Sequence, residues 1–248
     1  MENSDKNLAV LIDADNVSEK YVRAINDEVG NHGTPTIKRI YGDWTKPQMS
    51  AWKSVLLSYS IMPIQQYSYT TGKNATDAAL IIDAMDILYG GSVEGFCIVS
   101  SDSDFTRLAA RLRESGKYVL GMGEEKTPMP FISACEQFKY LEVLAQSGDK
   151  HGDNGSERKQ AGKGGITSKA KIIKAIKVIV DDCSDDDGWA YLGEVGKRLS
   201  KRLPDFDTRN YGYNKLTPFV ASLKTFDIQS RKTNNPNVVF KYIKEKKK

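Results

Sequence analysis

Histidine is almost absent: His32 and His151 are the only two in 248 residues. That removes His-rich metal chemistry and argues against a His-based nucleophilic triad. Cysteine is scarce too. Cys97, Cys135 and Cys183 are far apart and odd in number. They suit neither a disulfide framework nor a thiolate zinc site, and point to a reducing, cytoplasmic compartment. No apolar run approaches the roughly 18–20 residues of a membrane-spanning helix. Residues 1–6 are polar and lead straight into the first apolar run, so no secretory leader is expected. Any metal would have to be a hard ion held by carboxylates.

What is present is divided unevenly. Residues 1–146 carry 14 Lys and Arg against 19 Asp and Glu, a net of −5, whereas residues 147–248 carry 22 against 13, a net of +9. Basic domains of this size often meet polyanions. Between the halves, residues 146–165 hold six glycines, no aromatic residue and one apolar side chain, Ala161. Such a stretch buries too little surface to offset its ordering entropy, so it reads as a flexible linker. The expected division is therefore a domain over 1–145, a linker over 146–165 and a second domain over 166–248.

In the first domain, strand-like and helix-like segments alternate. Residues 8–12 form a continuous apolar run, as in a strand buried on both faces. Further strands are expected over 36–41, 61–67, 95–99 and 117–122. Ser18 is placed to cap a helix reaching about Val29, and Pro47 opens one over 49–57. Asn74 or Thr76 caps another over 77–89, and a fourth runs over 104–115. Residues 131–144 read as a short helix and a closing strand. The alternation argues for an α/β fold with a parallel sheet and helices on both faces. In the second domain, helices are expected from Ser168, near 191–203 and over 213–223. Strands over 226–230 and 238–243 complete a winged-helix arrangement.

The acids of the first domain cluster at strand ends. Asp13, Asp15 and Asn16 follow the first strand, and Ser100, Ser101, Asp102 and Asp104 follow the fourth. Ligands of an open parallel sheet bind beyond the strands' carboxyl ends, where strand order reverses. With the order 3-2-1-4-5, Asp13 and Asp102 lie a strand spacing apart and face one crevice. Asp77, at the start of the intervening helix, points near the same edge. Converging carboxylates repel unless a divalent ion neutralises them, and Mg²⁺ or Mn²⁺ is the natural partner. Such an ion serves in-line displacement at phosphorus. Taken singly, each of these acids reads more simply as a helix cap. Asp83 and Asp86 lie off the immediate face of Asp77 and read as solvent-facing or paired.

Two resemblances sharpen this. Asp13 to Val17 resembles the DxDx(T/V) signature of haloacid-dehalogenase-like phosphatases, in which the first Asp is a nucleophile. No well-placed cap domain accompanies it. Residues 11–16 (LIDADN), 73–77 (KNATD) with Asp83, and 99–105 (VSSDSDF) together resemble the NYN domain of PIN-like ribonucleases. The resemblance covers about residues 6–145. It implies a three-layer α/β/α sandwich and Mg²⁺- or Mn²⁺-dependent cleavage of RNA. By motif position, Asp13, Asp77, Asp102 and Asp104 would be the catalytic and metal-binding acids, with Asp15 supporting. Asn16 and Ser101 would assist metal or phosphate placement, and Lys73 would contact substrate phosphate. PIN-like nucleases often pair, so a homodimer is conceivable.

Residues 206–216 (FDTRNYGYNKL), with Phe219 and Leu223, resemble the OST-HTH or LOTUS domain. It implies a winged helix that binds RNA and, in some members, protein partners. Arg198, Arg202, Arg209, Lys215 and Lys232 are candidate phosphate contacts, and Tyr211 a candidate base platform. Tyr213, Leu216, Phe219 and Leu223 have helical spacing and read as core. The expectation is a metal-dependent ribonuclease with a tethered RNA-binding winged helix. A non-catalytic RNA-binding adaptor and an Asp-dependent phosphatase are the alternatives.

Overall fold

A computed structural model of the chain describes residues 6–67, 75–148, 166–232 and 239–246. Lys73 and Asn74, the side chain of Lys232 and residues 149–165 of the expected linker lie outside the described residues. Contacts divide the chain into two compact units, Met1–His151 and Gly152–Lys248.

The first unit runs β1 (Asn7–Asp13), α1 (Val22–Gly30), β2 (Thr34–Gly42), α2 (Ser50–Lys53), β3 (Met62–Gln65), α3 (Ala75–Gly90), β4 (Gly95–Val99), α4 (Thr106–Glu114), β5 (Tyr118–Gly123), α5 (Met129–Ala134), β6 (Gln137–Tyr140) and α6 (Leu141–Gly148). Its six strands are all parallel, in the order β3-β2-β1-β4-β5-β6. The order reverses between β1 and β4, as expected.

Side-chain alternation along the central strands decides what meets what. Leu8, Val10 and Ile12 of β1, with Cys97 and Val99 of β4, pack against Val22, Ile25 and Val29 of α1 and Leu141 and Leu144 of α6. Ala9, Leu11 and Asp13 therefore face the other way, toward α3, which lies on β1 and β2. Asp83 of α3 bonds both Arg39 and Tyr41 of β2, so it is paired rather than solvent-facing.

Three local expectations are corrected. The helix expected over 49–57 is one turn, α2, preceded by a 3-10 turn over Pro47–Met49. Leu57, 93% exposed, finds no core there. Ser18 does not cap: it precedes a 3-10 turn, Glu19–Tyr21, and donates its hydroxyl to Glu19. At the far end, α6 continues to Gly148 and takes in the first residues of the expected linker.

The second unit contains α7 (Lys169–Cys183), β7 (Ala190–Tyr191), α8 (Leu192–Arg202), α9 (Leu216–Ser222), β8 (Phe226–Lys232) and β9 (Val239–Glu245). The strands form an antiparallel sheet, β7-β9-β8. Three helices with this sheet form a winged helix. Ile172, Ile176 and Ile179 of α7, Val195 and Leu199 of α8, Phe219 of α9 and Ile243 of β9 share its core. Buried Asp205 accepts from both the backbone N–H and the hydroxyl of Thr167, each at 2.9 Å, fastening the start of the unit.

Candidate metal centre and RNA-contacting residues

Asp77, Asp102 and Asp104 come together at the carboxyl edge of the sheet, each offering a carboxylate oxygen within 4.8 Å of the others. Two pieces of local structure bring them there. Asp77 lies in the first turn of α3. Asp102 precedes the 3-10 turn Ser103–Phe105 that leads into α4, and its Oδ1 accepts the Asp104 N–H at 2.9 Å. Asp102 is thus a cap and a candidate ligand at once, because its second oxygen remains. Burial, then the charges of Asp13, Asp102 and Asp104, push the Asp77 carboxyl up to about 6.

Asp13 borders the same trio, and its charge acts on Asp77. It is fully buried beneath this trio, 0% exposed, and is not one of the three convergent carboxylates. Its oxygens accept from Asn16 Nδ2 and Ser100 Oγ, both at 2.7 Å, and from the Asp15 N–H at 3.1 Å. Burial raises its pKa and these hydrogen bonds oppose the rise. Asn16 thus serves Asp13, and the Asp15 carboxylate lies 3.9 Å from Lys46.

Ser100 is the residue that sequence reasoning missed. Its hydroxyl donates to Asp13 and accepts the Asp102 N–H at 3.1 Å, linking the two acids. Ser101, expected to assist at the site, is buried and accepts the Glu124 N–H at 2.9 Å. Strand alternation carried two residues past β4 explains the difference. Phe96, Ile98 and Ser100 share the face of Asp13, while Val99 and Ser101 share the other. The backbone is crowded here as well. A Cβ on Gly123, at the end of β5, would stand 2.5 Å from the Ser100 carbonyl oxygen, so only glycine fits.

Among the described residues, neither the phosphatase geometry nor histidine chemistry finds support. A nucleophilic carboxylate needs access, which Asp13 lacks. His32 lies between Glu28 and the Tyr118 hydroxyl, at the opposite end of the sheet.

In the second unit the predicted contacts separate into two sets. Arg202 and Lys215 are exposed. Arg198 bonds Glu194 at 2.8 Å, and Arg209 makes a paired contact with Asp207. Tyr211 is a correction: its ring packs against Phe206 and Phe219, and its hydroxyl donates to the Thr167 carbonyl. With Tyr213 it is partly buried against the core, so much of its ring is taken up by protein contacts.

Comparison with known proteins agrees with this architecture. A family model of the NYN domain matches residues 7–142, and one of the OST-HTH/LOTUS domain matches residues 167–238. No curated protein matches the chain. Among solved structures, a protein of unknown function from Vibrio parahaemolyticus is 18% identical, with 56% of this chain and 94% of that one covered and a TM-score of 0.46. An uncharacterized protein from Nitrosomonas europaea is 30% identical over 40% of this chain and 93% of that one, with a TM-score of 0.30. The six-stranded parallel sheet between helices is that of a PIN-like domain. With more than half of its length matched, the chain belongs to the NYN domain family and carries an OST-HTH/LOTUS domain after it.

Proposed function

We propose that the chain is a divalent-metal-dependent ribonuclease, in which the NYN domain hydrolyses RNA phosphodiesters and the OST-HTH/LOTUS domain holds the RNA. The observation that carries this is the convergence of Asp77, Asp102 and Asp104 within 4.8 Å. The donor set fits a hard cation: all oxygen, all carboxylate, with Asp77 raised first by burial and then by the neighbouring charges that a cation would offset. Asp77, Asp102 and Asp104 would hold Mg²⁺ or Mn²⁺. When bound, such an ion polarises water and neutralises charge developing on the phosphoryl oxygens.

The chain's own residues set the site beforehand. Asp13 anchors the Ser100 hydroxyl, Ser100 fixes the Asp102 backbone, and Asp102 fixes the Asp104 N–H. Asp13 therefore acts as a buried positioning charge that also adds negative potential beneath the trio. Asn16 supports it, and the exposed Arg202 and Lys215 attract phosphate at the second domain.

Cleavage of labelled RNA by the full chain, with Mn²⁺ and with EDTA, tests the proposal. Asp102→Asn and Asp104→Asn should each lower Mn²⁺-dependent cleavage by about 10²-fold or more while RNA still binds. A non-catalytic adaptor predicts instead that no cleavage accompanies binding in either condition. Undiminished cleavage by both variants removes the assignment.

A further inference from the structure

The outer face of the β7-β9-β8 sheet carries an aromatic array. Ile243 of β9 points inward, together with Ala190 and Ile228. By alternation Phe240, Tyr242 and Lys244 point outward, as do Tyr191 of β7 and Arg231 of β8. The register sets Tyr191 opposite Tyr242, and Arg231 opposite Phe240. The Tyr191 ring lies 5.1 Å from Phe240 and 5.8 Å from Tyr242. Arg231 lays its guanidinium 4.3 Å from the Tyr242 ring and 5.8 Å from Trp189, with Lys244 6.0 Å from the same indole.

Cross-strand aromatic pairs stabilise a sheet, but that leaves two features unaccounted for. Tyr191 and Phe240 remain 41% and 39% exposed on the face opposite the core of their own unit. Residues 226–248 also carry seven Lys and Arg against Asp227 and Glu245, and of these Arg231 pairs with Asp185 at 3.2 Å while Lys244 donates to the Asp187 carbonyl. Open rings interleaved with cations suit a polyanion whose own rings are free to stack, which is single-stranded nucleic acid rather than duplex. On the helical side Tyr211 and Tyr213 are partly buried, their rings packed against Phe219, and leave less open ring than Tyr191 and Phe240 do.

We propose that this sheet face is the platform on which the domain stacks unpaired RNA bases, with Tyr191 and Phe240 as the open rings and Arg231 and Lys244 as backbone contacts. The proposal rests on the RNA-binding reading above and names its surface and strand preference. It is tested on the full chain in EDTA by fluorescence anisotropy, with an oligouridine of about 12 nucleotides and a duplex of the same length. The single strand should bind more tightly. A variant carrying both Tyr191→Ala and Phe240→Ala should lose about tenfold or more of that affinity, and Tyr191→Phe should keep it. Photocrosslinking of 4-thiouridine RNA to the unaltered chain needs no variant to fold, and should map to Trp189, Tyr191 or Phe240. Crosslinks confined to α8 or Thr208–Tyr211, or equal binding by the double variant, overturn the platform and leave RNA binding standing. Failure of the unaltered chain to bind either RNA overturns both.

Discussion

At the scale of single residues, Asp77 joins stability to function. A carboxyl raised to about 6 means that, without a cation, the folded chain binds more protons than the unfolded one between the ordinary carboxylate range and pH 6. Metal-free stability should therefore fall as pH rises through about 6. Asp77→Asn removes that penalty: its metal-free melting temperature at pH 7.5 should exceed that of the unaltered chain by a few degrees. Its Mn²⁺-dependent cleavage should be lost. Thermal melts across pH 5 to 7.5 check the sign, and a lower melting temperature for the variant contradicts it. The acids were legible as a group because each stands next to an apolar strand or a helix start. Which of them converge was not, since that depends on the face each leaves its strand by. Asp13 goes under α3 and accepts from Ser100, Asn16 and a backbone N–H, whereas Asp102 stays half-buried at the edge.

At the scale of elements, α3 is what delivers Asp77, and its position is fixed by Asp83 against Arg39 and Tyr41. Replacing Asp83 leaves a guanidinium and a largely buried phenol without their acceptor. Asp83→Ala should cost about 1–3 kcal/mol in chemical denaturation and lower cleavage as well, because the helix start shifts with its anchor. In the second unit, Asp205→Ala strands the backbone N–H of Thr167 and should cost about 1–3 kcal/mol, read from melting of that unit. Strand order was legible because continuous apolar runs at 8–12 and 95–99 require central, doubly covered strands. The one-turn α2 was not, because Trp52 and Leu56 have helical apolar spacing and both meet the core, although the helix ends at Lys53. Tyr211 misled for a related reason. Aromatics beside arginines look alike in sequence whether they stack on bases or fill a core, and three-dimensional neighbours such as Phe206 and Phe219 decide. The alternation of Phe240, Tyr242 and Lys244 was the available signal for the opposite sheet face.

For the molecule as a whole, the net −5 of residues 1–146 and the +9 of residues 147–248 describe two opposed electrostatic tasks. A concentrated acid site repels a polyanion until a cation neutralises it, and the basic domain supplies the attraction. Removing residues 149–248 should therefore raise the RNA concentration needed for half-maximal cleavage far more than it lowers the maximal rate. Affinity of the full chain should fall steeply with salt. Equal half-saturation for the truncated and full chains contradicts this division. Among the described residues no helix is long and apolar enough to cross a membrane. The proposed chemistry requires a divalent cation at Asp77, Asp102 and Asp104. An anomalous difference map from crystals grown with Mn²⁺ should show a peak among those three carboxylates that disappears in Asp102→Asn. A site free of anomalous density, or Mn²⁺ bound only elsewhere, contradicts that chemistry.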